Sequence, residues 1–243
     1  MNTPSELAGG CVRHDTQLSP GDPVTEILKT SRTIAVEDYA AAVRAPAPKL
    51  RVGVPRKIFY EEMDADVARV IEDALRVVAE LAAEMRDVTV PADPDRTVSK
   101  AESYAYHLPY LLKCADQYDP ETLRRINAGA NVDVRDYVAK LHELELLRRG
   151  AAEIFKDVDV VVTPTTPVPP RPAAELQADI SRLRERELVA LRNTRPFNVL
   201  GLPAISVPCG ETSAGLPVAL QIAGPVGGDA RVLAFARAFE NAR

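Results

Sequence analysis

Tryptophan is absent from this chain of 243 residues, and aromatic side chains make up only 5% of it. So few rings leave little on which bases or sugars could stack, which argues against single-stranded nucleic acid as a partner. Cysteine is scarce too. Cys11, Cys114 and Cys209 are far apart, odd in number and without CxxC spacing, which argues against a disulfide framework or a zinc site and favours a reducing compartment. The histidines are His14, His107 and His142, and none has a second His or Cys at metal-ligand spacing. No metal and no cofactor is expected. A strong charge imbalance is missing as well: the net charge is −5 with both signs interspersed, so no electrostatic footprint exists for nucleic acid or an anionic membrane. No apolar run is long enough to span a bilayer, and the N-terminus lacks a basic start followed by an apolar stretch. The expectation is a soluble cytoplasmic protein.

A self-evident reaction centre is also missing. There is no GxSxG elbow, and Ser31, Ser206 and Ser213 lack an identifiable base and oxyanion donors. Lys29 lies two residues before Ser31, in a stretch read as exposed, where a lysine stays protonated. Residues 224–229, Gly-Pro-Val-Gly-Gly-Asp, match neither GxGxxG nor a P-loop, and Asp229 would put a carboxylate where an anion should sit. That segment reads as a tight turn into a helix capped by Asp229.

What is present is an α/β pattern with an ample 46% of hydrophobic residues. Residues 1–23 carry no periodicity and read as an irregular or disordered segment. Residues 24–48 read as a short helix through Val36, Tyr39, Ala40 and Val43 followed by a linker at Pro46-Ala47-Pro48. The main region runs over 49–243. Its opening is β-prone at 50–55. Next come Val67, Val70, Ile71, Ala74, Leu75, Val78, Leu81, Ala82 and Met85 at helical spacing behind Asp64 as N-cap, and then a strand at 86–91. Strand, helix, strand in that order is the signature of a parallel βαβ unit.

Residues 96–155 read as helical, broken near Pro120 and Gly129, with Asp133 and Asp136 in a capping arrangement. A stripe of Val134, Tyr137, Val138, Leu141 and Leu144 implies a long helix with a buried side. Val158-Asp159-Val160-Val161-Val162-Thr163 is nearly continuous and β-branched, as a central strand covered on both faces requires. A proline-rich loop follows it, at the strand end where open α/β sheets place their sites. Residues 175–192 read as an amphipathic helix, 204–208 and 216–222 as a hairpin, and 230–241 as a closing helix.

Two of these segments are more specific. Asp159-Val160-Val161-Val162-Thr163-Pro164-Thr165-Thr166-Pro167 and Pro196-Phe197-Asn198-Val199-Leu200-Gly201-Leu202-Pro203-Ala204-Ile205-Ser206-Val207-Pro208-Cys209-Gly210 resemble the strand-to-proline-loop and near-C-terminal segments of amidase-signature hydrolases. The resemblance continues through residues 215–224, 50–55 and 124–129, and Gly21-Asp22-Pro23-Val24-Thr25 is similar to the linker after the family's catalytic core.

It implies the C-terminal half of that fold, an incomplete mixed sheet flanked by helices. In the family, a glycine- and serine-rich loop carries the nucleophilic serine and a second serine, with an upstream lysine as base. This sequence has no Gly-Gly-Ser-Ser run, so no catalytic residue is assigned. The expected protein is therefore a truncated relative of hydrolases of linear amides, inactive alone. The alternative is a non-enzymatic binding or scaffolding module derived from the same fold. By resemblance, Thr163 and Asn198 are the candidate pocket residues. Glutamine-hydrolysing members hold the substrate amino group with an acidic residue just upstream of the Pro-x-Asn segment. Here Ala190-Leu191-Arg192-Asn193-Thr194-Arg195 contains no acid, which disfavours glutamine. The expected partners are a small amide once a catalytic half is supplied, that N-terminal half itself or a second copy, but neither nucleic acid nor membrane.

Overall fold

The structure, a computed structural model, describes residues 37–46 and 49–243. The expected irregular segment 1–23, the start of the helix-and-linker stretch, Cys11, His14, Lys29 and Ser31 lie outside the described residues. In chain order the elements are α1 (Tyr39–Arg44), β1 (Arg51–Val54), α2 (Ala65–Leu81), β2 (Glu84–Asp87), α3 (Thr97–Cys114), α4 (Pro120–Asn127), α5 (Val134–Gly150), β3 (Val160–Pro164), α6 (Ala173–Ala178), α7 (Leu183–Ala190), α8 (Arg195–Leu200), β4 (Ala204–Glu211), β5 (Pro217–Ala223) and α9 (Asp229–Asn241). Among the described residues these fall into two compact units, a larger one of 38–94 with 143–243 and a smaller one of 95–142 with Glu37.

The larger unit holds a mixed five-stranded sheet in the order β2-β1-β3-β5-β4. β1 pairs in parallel with both β2 and β3, in the register Arg51↔Glu84 and Val52↔Val160, and β5 runs antiparallel to β3 and β4. The expected βαβ unit is therefore present. Asp64 starts α2 by accepting from the amides of Asp66 at 2.9 Å and Val67 at 3.4 Å.

Successive β3 residues point to opposite faces, so this one strand feeds two cores. Val160 and Val162 join Val52, Val67, Ile71, Val78, Leu220, Phe235 and Phe239 under α2 and α9. Val158 and Val161 join Phe59, Ile154, Phe197, Leu200 and Ala223 on the other face, where the Phe59 and Phe197 rings lie 5.6 Å apart. Full burial of each such side chain contributes roughly 1.5–3 kcal/mol. At the start of the parallel strands, Asp159 accepts from the Arg51 backbone amide at 2.8 Å, Nε at 3.2 Å and Nη2 at 3.0 Å. These bonds hold the Asp159 carboxyl below its ordinary range. Gly53 has a steric reason: a Cβ there would approach Val88 Cγ2 to 2.8 Å.

In the smaller unit, Asp119 caps α4 through the amides of Glu121 and Thr122, both at 3.0 Å, with Pro120 in the first turn. Bonds from Arg124 and Arg125 hold the Glu121 carboxyl down to about 2. Gly129 closes the turn against α3, since a Cβ there would fall 2.1 Å from the Lys100 carbonyl oxygen. Cys114 is disulfide-bonded, although the cysteine spacing argues against a disulfide framework.

Four local expectations change. β2 covers Glu84–Asp87 rather than 86–91, because pairing with β1 sets its register and α2 ends at Leu81. α5 buries none of its residues fully: Val134 is 70% exposed and Val138 58%, while Tyr137 is half-buried and donates its hydroxyl to Glu102 at 3.2 Å, so the apolar stripe is only partly covered. Residues 175–192 form α6, a single turn Ile180–Arg182 and α7 rather than one helix, interrupted at Asp179, whose side chain accepts a hydrogen bond from the Ser181 hydroxyl. Asp229 lies within the first turn of α9 instead of capping it, and Gly228 occupies the cap position.

Candidate functional site

The parallel strands β1 and β3 end at the same edge, and three segments of the larger unit are tied together there. The loop from β1 to α2 is anchored by Tyr60, whose hydroxyl donates to the Val162 carbonyl at 2.9 Å. Burial pushes that phenol's pKa above its usual range. The same loop holds Ile58 at φ 72° and Glu62 at φ 48°, a region that side chains other than glycine rarely adopt and that is costly for a β-branched residue. The proline loop after β3 is fixed by the Thr165 amide donating to Ala219 O and the Asp64 amide donating to Pro167 O, each at 2.9 Å.

The third segment enters α8. The fully buried Asn193 side chain donates from Nδ2 to the Phe59 and Pro164 carbonyls, both at 2.9 Å, which staples all three segments together. Its own carbonyl accepts from Gln221 Nε2 at 3.1 Å, and Gln221 also donates to Thr163 Oγ1 at 2.9 Å. Every member of this network is buried and satisfied, which makes it a rigidifying device.

Thr163 is therefore part of the internal bracing of this strand edge, with no exposed surface. Asn198 sits on the exposed side of α8, and its backbone closes the helix through the Gly201 amide at 3.2 Å. No hydrogen bond joins the two. Sequence reasoning does not single out Asn193 or Gln221. The available signal is Gln221 itself, an amide within the otherwise apolar run 218–223.

Among the described residues no serine or threonine hydroxyl is hydrogen-bonded to a histidine or a lysine, and the carboxylates that accept from serines are at the exposed surface. Ser206 Oγ lies 2.8 Å from Thr165 Oγ1, a pairing of two exposed hydroxyls. Ser213 donates its backbone amide at 2.7 Å and its hydroxyl to Asp66, a turn clasp at the exposed surface that lowers the Asp66 pKa. Burial pushes the Cys209 thiol up to about 11, far from the thiolate that reaction needs. His107 Nδ1 pairs with the Tyr118 hydroxyl at 2.9 Å in the smaller unit. Among the described residues no cluster of three His, Cys, Asp or Glu could hold a metal. A groove of about 610 Å³ lined by Val43, Arg44, Ala234, Arg237 and Asn241 contains none of these groups.

The chain and its mixed sheet have clear relatives. The family model described as Amidase matches residues 21–233. A glutamyl-tRNA(Gln) amidotransferase subunit of Myxococcus xanthus is 32% identical over 87% of this chain and 49% of its own length. The 2-amino-5-chloromuconic acid deaminase of Comamonas testosteroni is 29% identical over 85% of this chain and 47% of its own length. The solved structure of 6-aminohexanoate cyclic dimer hydrolase with substrate superposes with a TM-score of 0.70 at 23% identity, over 96% of this chain and 50% of the other. This chain belongs to the amidase signature family of hydrolases. It spans about half the length of the curated relatives it matches. Among the described residues no helix is long and apolar enough to cross a membrane.

Proposed function

We propose that this chain supplies a wall of the acyl-binding pocket in an amide hydrolase that cleaves the carbon–nitrogen bond of linear amides, and that it does not cleave amides by itself. One observation carries this reading. The strand edge that bears the family's segments is fully braced by Asn193, Gln221 and Thr163, while the Ser206 and Thr165 hydroxyls face one another and the Ser213 hydroxyl faces an exposed carboxylate, with no histidine or lysine bonded to any of them among the described residues. Acyl transfer needs a nucleophile whose proton is taken in the transition state and donors aimed at the developing oxyanion. A partner segment bearing a glycine- and serine-rich loop and a lysine would supply both. The exposed apolar side chains Val134, Val138 and Leu141 in the smaller unit, and Leu146, Leu188 and Val226 in the larger, give such a segment apolar surface to cover. Without it, the same surface favours self-association. The lack of an acid in residues 190–195 speaks against recognition of a glutamine amino group. A cytoplasmic location fits the composition, with the Cys114 bridge as the observation that pulls against it.

The test is co-expression with the N-terminal half of a related amidase. The expected result is a stable complex that turns over small amides, with an interface of roughly 2,000 Å² or more. Asn198→Ala should then lower turnover while leaving assembly intact. Assembly without turnover would point to a degenerated scaffold, and failure to assemble would favour the binding-module alternative.

A further inference from the structure

Arg192 lies at the edge where the three stapled segments meet, immediately before Asn193. Its side chain is only 21% exposed. Nη2 donates to the Glu61 carbonyl and Nε to Asn193 Oδ1 at 3.3 Å, and both acceptors are neutral. The carboxylate within reach is that of Glu62, at 4.0 Å from Nη1 on a side chain 92% exposed, which is too long for a hydrogen bond. Arg51 shows the matched case in the same unit, with Nε and Nη2 bonded to the two oxygens of Asp159. A guanidinium has five N–H donors in a planar fork suited to a carboxylate, so Arg192 is held half-buried with that fork incompletely used.

Its surroundings are stiff. Glu61 and Glu62 belong to the loop held at positive φ at Ile58 and Glu62, which is pinned by Tyr60 to β3 and by Asn193 to Phe59. Strain of this kind persists only where neighbouring structure over-determines it, and it clusters at ligand-binding loops. The location at the C-terminal edge of the parallel strands is where open α/β sheets bind ligands. Burial lowers the Arg192 pKa, yet an arginine remains charged at any working pH.

We propose that Arg192 is a specificity-determining anchor for a carboxylate on the substrate, so that the preferred amides are half-amides of short dicarboxylic acids. This rests on the reading of the chain as a pocket wall of an amide hydrolase. A carboxylate reaching Nη1 displaces Glu62, whose exposed side chain swings into water at little cost.

The test uses the full chain assembled with the N-terminal half of a related amidase, and two ligands of equal length, succinamate and neutral butyramide, titrated by calorimetry or ligand-observed NMR. Succinamate should bind at least about tenfold more tightly. Arg192→Gln should abolish the difference, and Arg192→Lys should keep part of it, because an ammonium is a point charge without the bidentate fork. Glu62→Gln, a change at an exposed side chain, should tighten succinamate a few-fold by removing the competing carboxylate. Equal affinities, no binding of either ligand, or an unchanged preference in Arg192→Gln would overturn the assignment. The two readings separate cleanly: a charge preference without turnover in the assembled pair sinks the hydrolase reading alone, and turnover without a charge preference sinks the anchor alone.

Discussion

Gln221 and Thr163 are register partners on the antiparallel strands β5 and β3, and the Gln221 amide donates to the Thr163 hydroxyl at 2.9 Å. The same amide reaches the Asn193 carbonyl, so one side chain couples the sheet to the segment that enters α8. Polar groups inside a sheet core persist when all are satisfied, and each one left alone costs about 1–3 kcal/mol.

Removing members of this network should therefore have graded effects. Thr163→Val leaves Gln221 bonded to Asn193 and should cost about 1 kcal/mol, whereas Asn193→Ala strands the Phe59 and Pro164 carbonyls and should cost at least about 2 kcal/mol. Urea titrations would read this as lower midpoints at an unchanged slope. Equal and negligible losses would mean that the network does not brace the edge.

The Arg51–Asp159 pair predicts an acid dependence. Asp159 has its folded-state pKa lowered, first by the side-chain bonds from Arg51. Its contribution is thus complete above the unfolded carboxyl value of about 3.9 and is lost as pH falls through the lower folded value. Asp159→Asn should be less stable than the native chain near neutral pH, and the gap should close as pH falls through and below about 3.9. A gap independent of pH would contradict the assignment.

Cys209 should be silent toward thiol reagents. It is buried, unbridged and has its pKa pushed up to about 11. Mass mapping after alkylation at mildly alkaline pH should find it unmodified in the folded chain and modified once denaturant is added. Rapid native labelling would show that β4 opens readily.

Gly129→Ala should destabilise the smaller unit by about 1–3 kcal/mol through overpacking, because the new methyl meets backbone at Lys100 rather than a yielding side chain. Hydrogen exchange along α3 and α4 would report it. A neutral outcome would mean that the turn has room to shift.

Much of the fold is legible in the sequence, because burial on both faces leaves a strand no choice but Val160-Val161-Val162, and α2 repeats its apolar residues behind a capping Asp64. The resemblance adds the mixed topology, which periodicity alone does not specify. Four details escape. The β2 boundary depends on pairing with β1, a tertiary fact. Asp179 breaks a helical pattern with a local side-chain bond that competes with the helix. Gly228 takes the cap position that the pattern assigns to Asp229. The stripe on α5 is apolar, as its spacing indicates, but its burial depends on a covering element, which a pattern does not reveal. At the candidate site, Thr163 and Asn198 come from motifs, while Asn193 and Gln221 become visible only when the chain brings residues far apart in sequence into one hydrogen-bonded cluster.

The central claim is that this chain forms the pocket wall and lacks the reaction centre, and amide turnover by the purified chain alone tests it most directly. On a panel of acetamide, benzamide, succinamate and longer acyl amides, the account predicts no hydrolysis above background. Binding and fixed dipoles without a nucleophile would leave at most about 10³–10⁴-fold over water, far short of ordinary enzymatic turnover. Robust turnover that Ser206→Ala abolishes would contradict the account, since among the described residues the Ser206 hydroxyl is paired with the Thr165 hydroxyl.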